Sequence, residues 1–110
     1  MKITYASKKI EKLFSDYDKL QSKLDPAWVR TIAKQITALE AVVTFGDFLA
    51  LKLWHPEQLQ GNDRALWSIR VSANARMILR PEGDEVMICS EVEVKGVCDY
   101  HGGKSNWYIP

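Results

Sequence analysis

Four arginines, Arg64, Arg70, Arg76 and Arg80, stand in a stretch of this 110-residue chain that has no acidic residue among or between them. Arginine suits phosphate because its planar fork engages two oxygens at once and stays charged. Near the C-terminus Asp99, Tyr100 and His101 follow one another, and the chain's other histidine is His55. An imidazole titrates near neutral pH and can accept or donate a proton, while a phenol can orient a nucleophile, stack on a base or give up a proton. Phosphodiester chemistry without a metal needs three parts: a proton acceptor, a donor for the leaving oxygen, and a cation for the charge building on phosphorus. Arg76 is the candidate for the cation, His101 and Tyr100 for proton transfer and orientation, and Asp99 for positioning them. Each has a plainer reading. Arg76 can pair with Glu91 or Glu93 across a sheet, Tyr100 can be an ordinary strand aromatic, His101 a solvated residue before Gly102-Gly103, and Asp99 the support of a turn. Arg64, Arg70 and Arg80 can face solvent or a partner.

The elements that must position these groups follow from periodicity. Trp67, Ile69 and Val71 alternate with Ser68, Arg70 and Ser72; after Ala73-Asn74, Ala75, Met77 and Leu79 alternate with Arg76, Ile78 and Arg80. A period of two on both sides of a turn-forming pair predicts two antiparallel strands, one face apolar and the other carrying arginines. Met1 to Tyr5 suits a short strand. Ile10, Leu13, Phe14, Tyr17 and Leu20 recur at helical spacing and predict an amphipathic helix. Asp25-Pro26 marks the start of another, with Val29, Ile32, Ile36, Leu39 and Val43 on its apolar stripe, so that the two form a hairpin over one sheet face. Phe45 to Phe48 reads as a turn or helical end, His55 to Arg64 as a loop or irregular strand, and Pro81 to Asp84 as a turn. Val86 to Cys89 reads as an apolar strand; Val92 and Val94 continue it or pair with it after a kink, and Gly96 bends or bulges the chain before Val97 to His101.

Size and charge bound the rest. The length and 46% hydrophobic content predict one domain with a modest core, and the net charge of +1 means that any phosphate affinity rests on local clustering. Cys89 and Cys98 lack the spacing and companion histidines of a zinc site and are expected as buried thiols. With no apolar run long enough to cross a bilayer and no secretion-signal pattern at the N-terminus, a cytoplasmic protein without membrane contact is expected.

Leu59-x-Gly61-x-x-Arg64-x-x-Trp67-Ser68-Ile69-Arg70-Val71, then Asn74-Ala75-Arg76 and Asp99-Tyr100-His101, resembles the RelE/ParE superfamily of type II toxin–antitoxin toxins, and within it the HigB-like branch. The likeness extends over most of the chain in order and size. It implies an α+β, RelE-like fold: a short N-terminal strand and a two-helix hairpin packed on an antiparallel sheet of three to four strands. It also implies a ribosome-dependent messenger-RNA endoribonuclease held inactive by a helix-turn-helix, HigA-like antitoxin, with operator DNA bound only through that antitoxin. No metal or organic cofactor is called for. Other activities compatible with the resemblance are a non-catalytic ParE-like binding toxin and a degenerate antitoxin-binding co-repressor.

Two departures stand out. Many relatives carry a histidine and a lysine before the glycine in a pattern like HxLKG, where this chain has Glu57 and Gln60, with His55 two residues away from the histidine position. Either His55 or Glu57 would then serve the site as the loop residue, and Gln60 would line the RNA path with Arg64, Arg70 and Arg80. Residues 102–110, with Lys104, Trp107 and Tyr108, run past the usual end, to cover the sheet, stack on RNA or contact a partner.

Overall fold

Capping side chains set the helix boundaries. In the computed structural model, which describes residues 1–61, 64–101 and 104–109 and only the backbone of 100, 101 and 104–106, the Ser7 hydroxyl accepts from the Ile10 amide to start α1 (Lys8–Phe14). The single helix expected from Ile10 to Leu20 is two. The Asp16 carboxylate accepts from the amides of Asp18 and Lys19, which closes one helix and opens α2 (Tyr17–Gln21); an aspartate in mid-run competes with the backbone for its own hydrogen bonds. α3 (Pro26–Ala41) starts where expected, with Asp25 accepting from the Ala27 amide and proline at its first turn. It ends before Val43, which is 72% exposed and so does not belong to the apolar stripe.

Phe45 to Ala50 is a helix, α4, rather than a turn, because Thr44 and Asp47 form a reciprocal capping box. This helix also removes the strand expected at Val86 to Cys89. The Phe45 amide donates to the Cys89 carbonyl at 2.8 Å, and Val86–Ile88 is instead a 3-10 turn with Met87 and Ile88 exposed. A side chain at Gly46 would lie 2.5 Å from the Met87 carbonyl oxygen, so α4 meets this turn backbone to backbone.

Among the described residues the sheet has six strands rather than three or four. β1 (Lys2–Tyr5), β2 (Glu57–Gln58), β3 (Trp67–Arg70), β4 (Arg76–Pro81) and β5 (Glu91–His101) lie in the order β1-β5-β4-β3-β2, with β6 (Lys104–Ile109) also on β5. The two extra strands are the loop segment at residues 57–58, which pairs with β3, and the C-terminal extension, which pairs with β5. β1 runs parallel to β5 and the other pairs are antiparallel. β5 is one long strand, and one edge of it serves two partners: residues 91–94 pair with β1 and residues 97–101 with β6. Between them the register on β4 slips by one residue, because Ile78 faces Gly96 and Leu79 faces Val94.

The helices cover one sheet face. Ile32, Leu39, Phe45 and Phe48 pack there against Ile69, Met77, Leu79, Val92, Val94, Val97 and Ile109, each large apolar side chain contributing roughly 1.5–3 kcal/mol on burial. Among the described residues, the opposite face holds a small buried apolar cluster of Leu59, Ile78 and Cys98 with Leu66, and it is the arginine face. Cys89 and Cys98 are buried and not disulfide-bonded. Among the described residues, no helix is long and apolar enough to cross a membrane.

Gly96 has φ 144°, and a Cβ there would lie 1.9 Å from the Ile109 carbonyl oxygen; Gly61 has φ 70° with nothing within 4 Å of a Cβ. Gly96→Ala is therefore expected to cost roughly 3 kcal/mol or more and Gly61→Ala roughly 1. Equal losses in urea denaturation would contradict the close approach of β6 to β5. Burial raises the pKa values of Cys89, Tyr5 and Tyr17, with nearby Glu82 and Asp84 adding to the first, Tyr17 and acids to the second and Glu40 to the third. Groups whose folded pKa is raised stabilise fully below their unfolded values and lose that contribution as pH rises through the folded ones. Stability should thus decline through the alkaline range, and Cys89→Ala should make the decline shallower in pH-dependent melting.

Candidate functional site

The β3–β4 hairpin is closed by the Ser72 hydroxyl, which accepts from the amides of Asn74 and Ala75, and by the Val71 amide on the Ala75 carbonyl. That turn puts Arg70 directly opposite Arg76 on the sheet face away from the helices. Arg76 Nε donates to Ser68 Oγ at 2.7 Å, and its Nη2 donates to the His55 carbonyl at 2.5 Å and to the Ser68 carbonyl at 3.3 Å. The cross-sheet ion pair is not formed: Glu91 sits with Lys2 at 3.6 Å and Glu93 with Lys95 at 2.9 Å. Burial lowers the Arg76 pKa most; the carboxylate of Glu57 pulls it back up and the Arg70 charge lowers it further. An arginine so placed remains a cation at neutral pH.

The His55 segment is tied to the same hairpin. Trp54 gives its carbonyl to the Arg70 amide at 2.7 Å and stacks on Phe48, and Gln35, fully buried on α3, donates to the Arg70 carbonyl at 2.8 Å. Lys52, Trp54 and His55 all have left-handed backbone, with φ of 54°, 59° and 48°, conformations that non-glycine residues hold only where the surroundings dictate them. His55 meets Arg76 through its carbonyl, while it lines an open hollow of about 460 Å³ with Leu49, Lys52, Pro56 and Trp67. Trp67 belongs to the helix-facing core, edge-on to Phe45.

Glu57 lies on the short edge strand β2, and with Gln58, Leu59 and Gln60 it borders a second hollow of about 350 Å³. Gln58 Nε2 donates to the Arg64 carbonyl at 2.8 Å and so holds the end of that loop. Arg80 is exposed at the far end of β4, opposite Glu93 in register. In β5, Cys98 stands opposite Arg76, and the next three residues are Asp99, Tyr100 and His101, which pair with Asn106, Ser105 and Lys104 of β6. Asp99 is half-buried. The side chains of Tyr100 and His101 lie outside the described residues. The structure brings Arg70, Arg76 and the backbone of the His55 segment together, and it adds Ser68, which was not among the expected site residues. Its signal was a small hydroxyl residue at an arginine-face position of an otherwise apolar strand.

Among the described residues, no cluster of three or more His, Cys, Asp or Glu could hold a metal ion. No model of a known protein family matches the sequence, and no curated protein sequence does. Comparison of the fold with solved structures finds a YoeB/ParE toxin from Agrobacterium tumefaciens, at 21% identity and a TM-score of 0.59, covering 92% of this chain and 100% of that one. This likeness shows the fold that the resemblance of the sequence implied.

Arg76 thus joins β4, β3 and the His55 segment. A lysine has a single donor nitrogen in place of the fork and loses the separate Nε and Nη2 positions that reach Ser68 Oγ and the His55 carbonyl. Arg76→Lys is expected to lower stability by about 1–3 kcal/mol and to speed amide hydrogen exchange in residues 52–56. Unchanged exchange there would show that the guanidinium does not hold the segment.

Proposed function

We propose that this chain is the toxin of a type II toxin–antitoxin pair and cleaves messenger RNA on the ribosome. The observation that carries the reading is the Arg76 guanidinium: half-buried, held by three fixed contacts on the open sheet face, opposite Arg70 and one strand from the Asp99–His101 segment. The fold of a YoeB/ParE toxin supports it. A preorganised cation stabilises charge that develops in the transition state without first having to reorganise.

In this reaction the ribose 2′-oxygen attacks the neighbouring phosphorus, and the bond from phosphorus to the 5′-oxygen breaks. Arg76 takes the charge on the phosphoryl oxygens. His101 and Tyr100 share removal of the 2′-proton and protonation of the departing oxygen, with Asp99 positioning them. Of the two loop residues, Glu57, whose charge acts on Arg76, is assigned the part here, since His55 meets Arg76 through a backbone carbonyl. Arg64, Arg70, Arg80 and Gln60 line the RNA path. The partners are the ribosome with its message and a helix-turn-helix, HigA-like antitoxin, with operator DNA bound through the antitoxin. The chemistry requires no cofactor, and the site of action is the cytoplasm.

A second reading has its own support. The Nε and Nη2 donors of Arg76 are spent on the fold itself, and Gln60 replaces a lysine, as a ParE-like toxin acting by contact alone would permit. Purified protein added to translating ribosomes separates the two. The nuclease cuts transcripts at defined positions, with Arg76→Ala and His101→Ala each slowing cleavage about 10²-fold or more, in variants shown by circular dichroism to be folded. Intact transcripts alongside growth arrest would overturn cleavage in favour of the binder.

A further inference from the structure

The C-terminal strand extends the arginine face by one aromatic side chain. Register aligns four residues across the sheet: Arg70 opposite Arg76, Arg76 opposite Cys98, and Cys98 opposite Trp107. Directly opposed residues on antiparallel strands project to the same face, so Trp107 shares the face that carries Arg76 and the Leu59, Ile78 and Cys98 cluster. The next residue, Tyr108, is the extra residue where the β5–β6 register slips, and its ring turns edge-on to Trp28 of α3; Ile109 then returns to the helix-side core. The slip allows two adjacent aromatics to take opposite tasks.

Trp107 reaches over Gly96: its Cζ3 would lie 3.0 Å from a Cβ at that position. The ring is thus supported from below by a strand backbone that has no side chain there, and Trp107 remains 44% exposed. Tryptophan is seldom left so open on a folded surface without a partner, since its ring is among the largest apolar surfaces available. Strand spacing of about 4.8 Å puts its backbone about 10 Å from that of Arg76, a distance that a short piece of extended nucleic-acid strand bridges. Next to paired guanidinium groups, an outward-facing indole on a rigid sheet has the composition of a single-strand binding surface: cations for the backbone and a π-face for a base.

We infer that Trp107 is a stacking platform for an unpaired base of the RNA whose phosphates lie along Arg70 and Arg76. The inference rests on the nuclease reading for its substrate, and it assigns to residues 104–109 the task of extending the substrate track. Stacking is tolerant of base identity, because every base has a π-face. The platform therefore adds affinity and sets which nucleotide is held without imposing a strict sequence.

The test is binding without chemistry. A fluorescein-labelled single-stranded decaribonucleotide, 2′-O-methylated throughout, is titrated with the protein at several salt concentrations and followed by anisotropy. Trp107→Leu keeps an apolar cover over Gly96 but has no π-face, whereas Trp107→Phe keeps a smaller one. The stacking role predicts about tenfold weaker binding for Trp107→Leu, a loss of threefold or less for Trp107→Phe, and the same salt slope for both. Arg70→Ala is expected to weaken binding and to reduce the slope by about one. Equal binding by wild type and Trp107→Leu, equal losses in the Leu and Phe variants, or no binding by wild type at low salt would each overturn the inference. Transcript cleavage on ribosomes, assayed in parallel, keeps the two ideas apart: cutting that persists unchanged in Trp107→Leu removes the platform and leaves the nuclease.

Discussion

The double use of one edge of β5 is the constraint on which the rest of the molecule depends. β1 pairs with its first half in parallel and β6 with its second half antiparallel, so the two partners follow one another along it. β6 closes on it at Gly96, where a Cβ has no room beside the Ile109 carbonyl. The register set there passes across the sheet: Cys98 falls opposite Arg76, Arg76 opposite Arg70, and Trp107 opposite Cys98. Had β5 continued without its slip, alternate side chains beyond it would have changed faces, and the arginines would no longer share a surface with the end of β5.

The second constraint is polar. A half-buried guanidinium must find acceptors or pay the penalty of desolvation, and the lowered pKa of Arg76 expresses that burial. Ser68 and the His55 carbonyl supply them. Because the second acceptor belongs to a segment with left-handed backbone at residues 52, 54 and 55, the contact holds a conformation that local preference disfavours. The same side chain thereby shapes the fold and presents a positive charge on the open sheet face. The contacts that shape the fold are made by its Nε and Nη2.

Much of this was legible in the residues themselves. The alternation from Trp67 to Arg80 gave both strands, their turn and the separation of arginines from core, because a period of two is a direct consequence of the pleat. Asp25-Pro26 gave the start of α3 for reasons just as local. What escaped was non-local. Nothing between Val86 and Cys89 announces that the Cys89 carbonyl will be taken by the Phe45 amide, so an apolar run read as a strand. The capping box of Thr44 and Asp47 was visible in principle but hidden by Gly46, whose place in α4 is explained by its contact with the Met87 backbone. Arg76 offered two acidic partners by spacing, and only the fold showed both engaged with lysines. The likeness to a known family supplied the order of the motif but placed Glu57 and Gln60 in positions whose chemistry differs from the usual histidine and lysine.

The proposed function requires RNA to lie across the outer sheet face with a phosphate on Arg76. The most direct measurement is a crystal structure of the chain with a 2′-O-methylated trinucleotide. The expected result is a phosphate oxygen within hydrogen-bond distance of the Arg76 guanidinium, with the Tyr100 and His101 side chains turned toward the same phosphodiester. A nucleotide seated on the helical side, or Tyr100 and His101 directed away from Arg76, would contradict it.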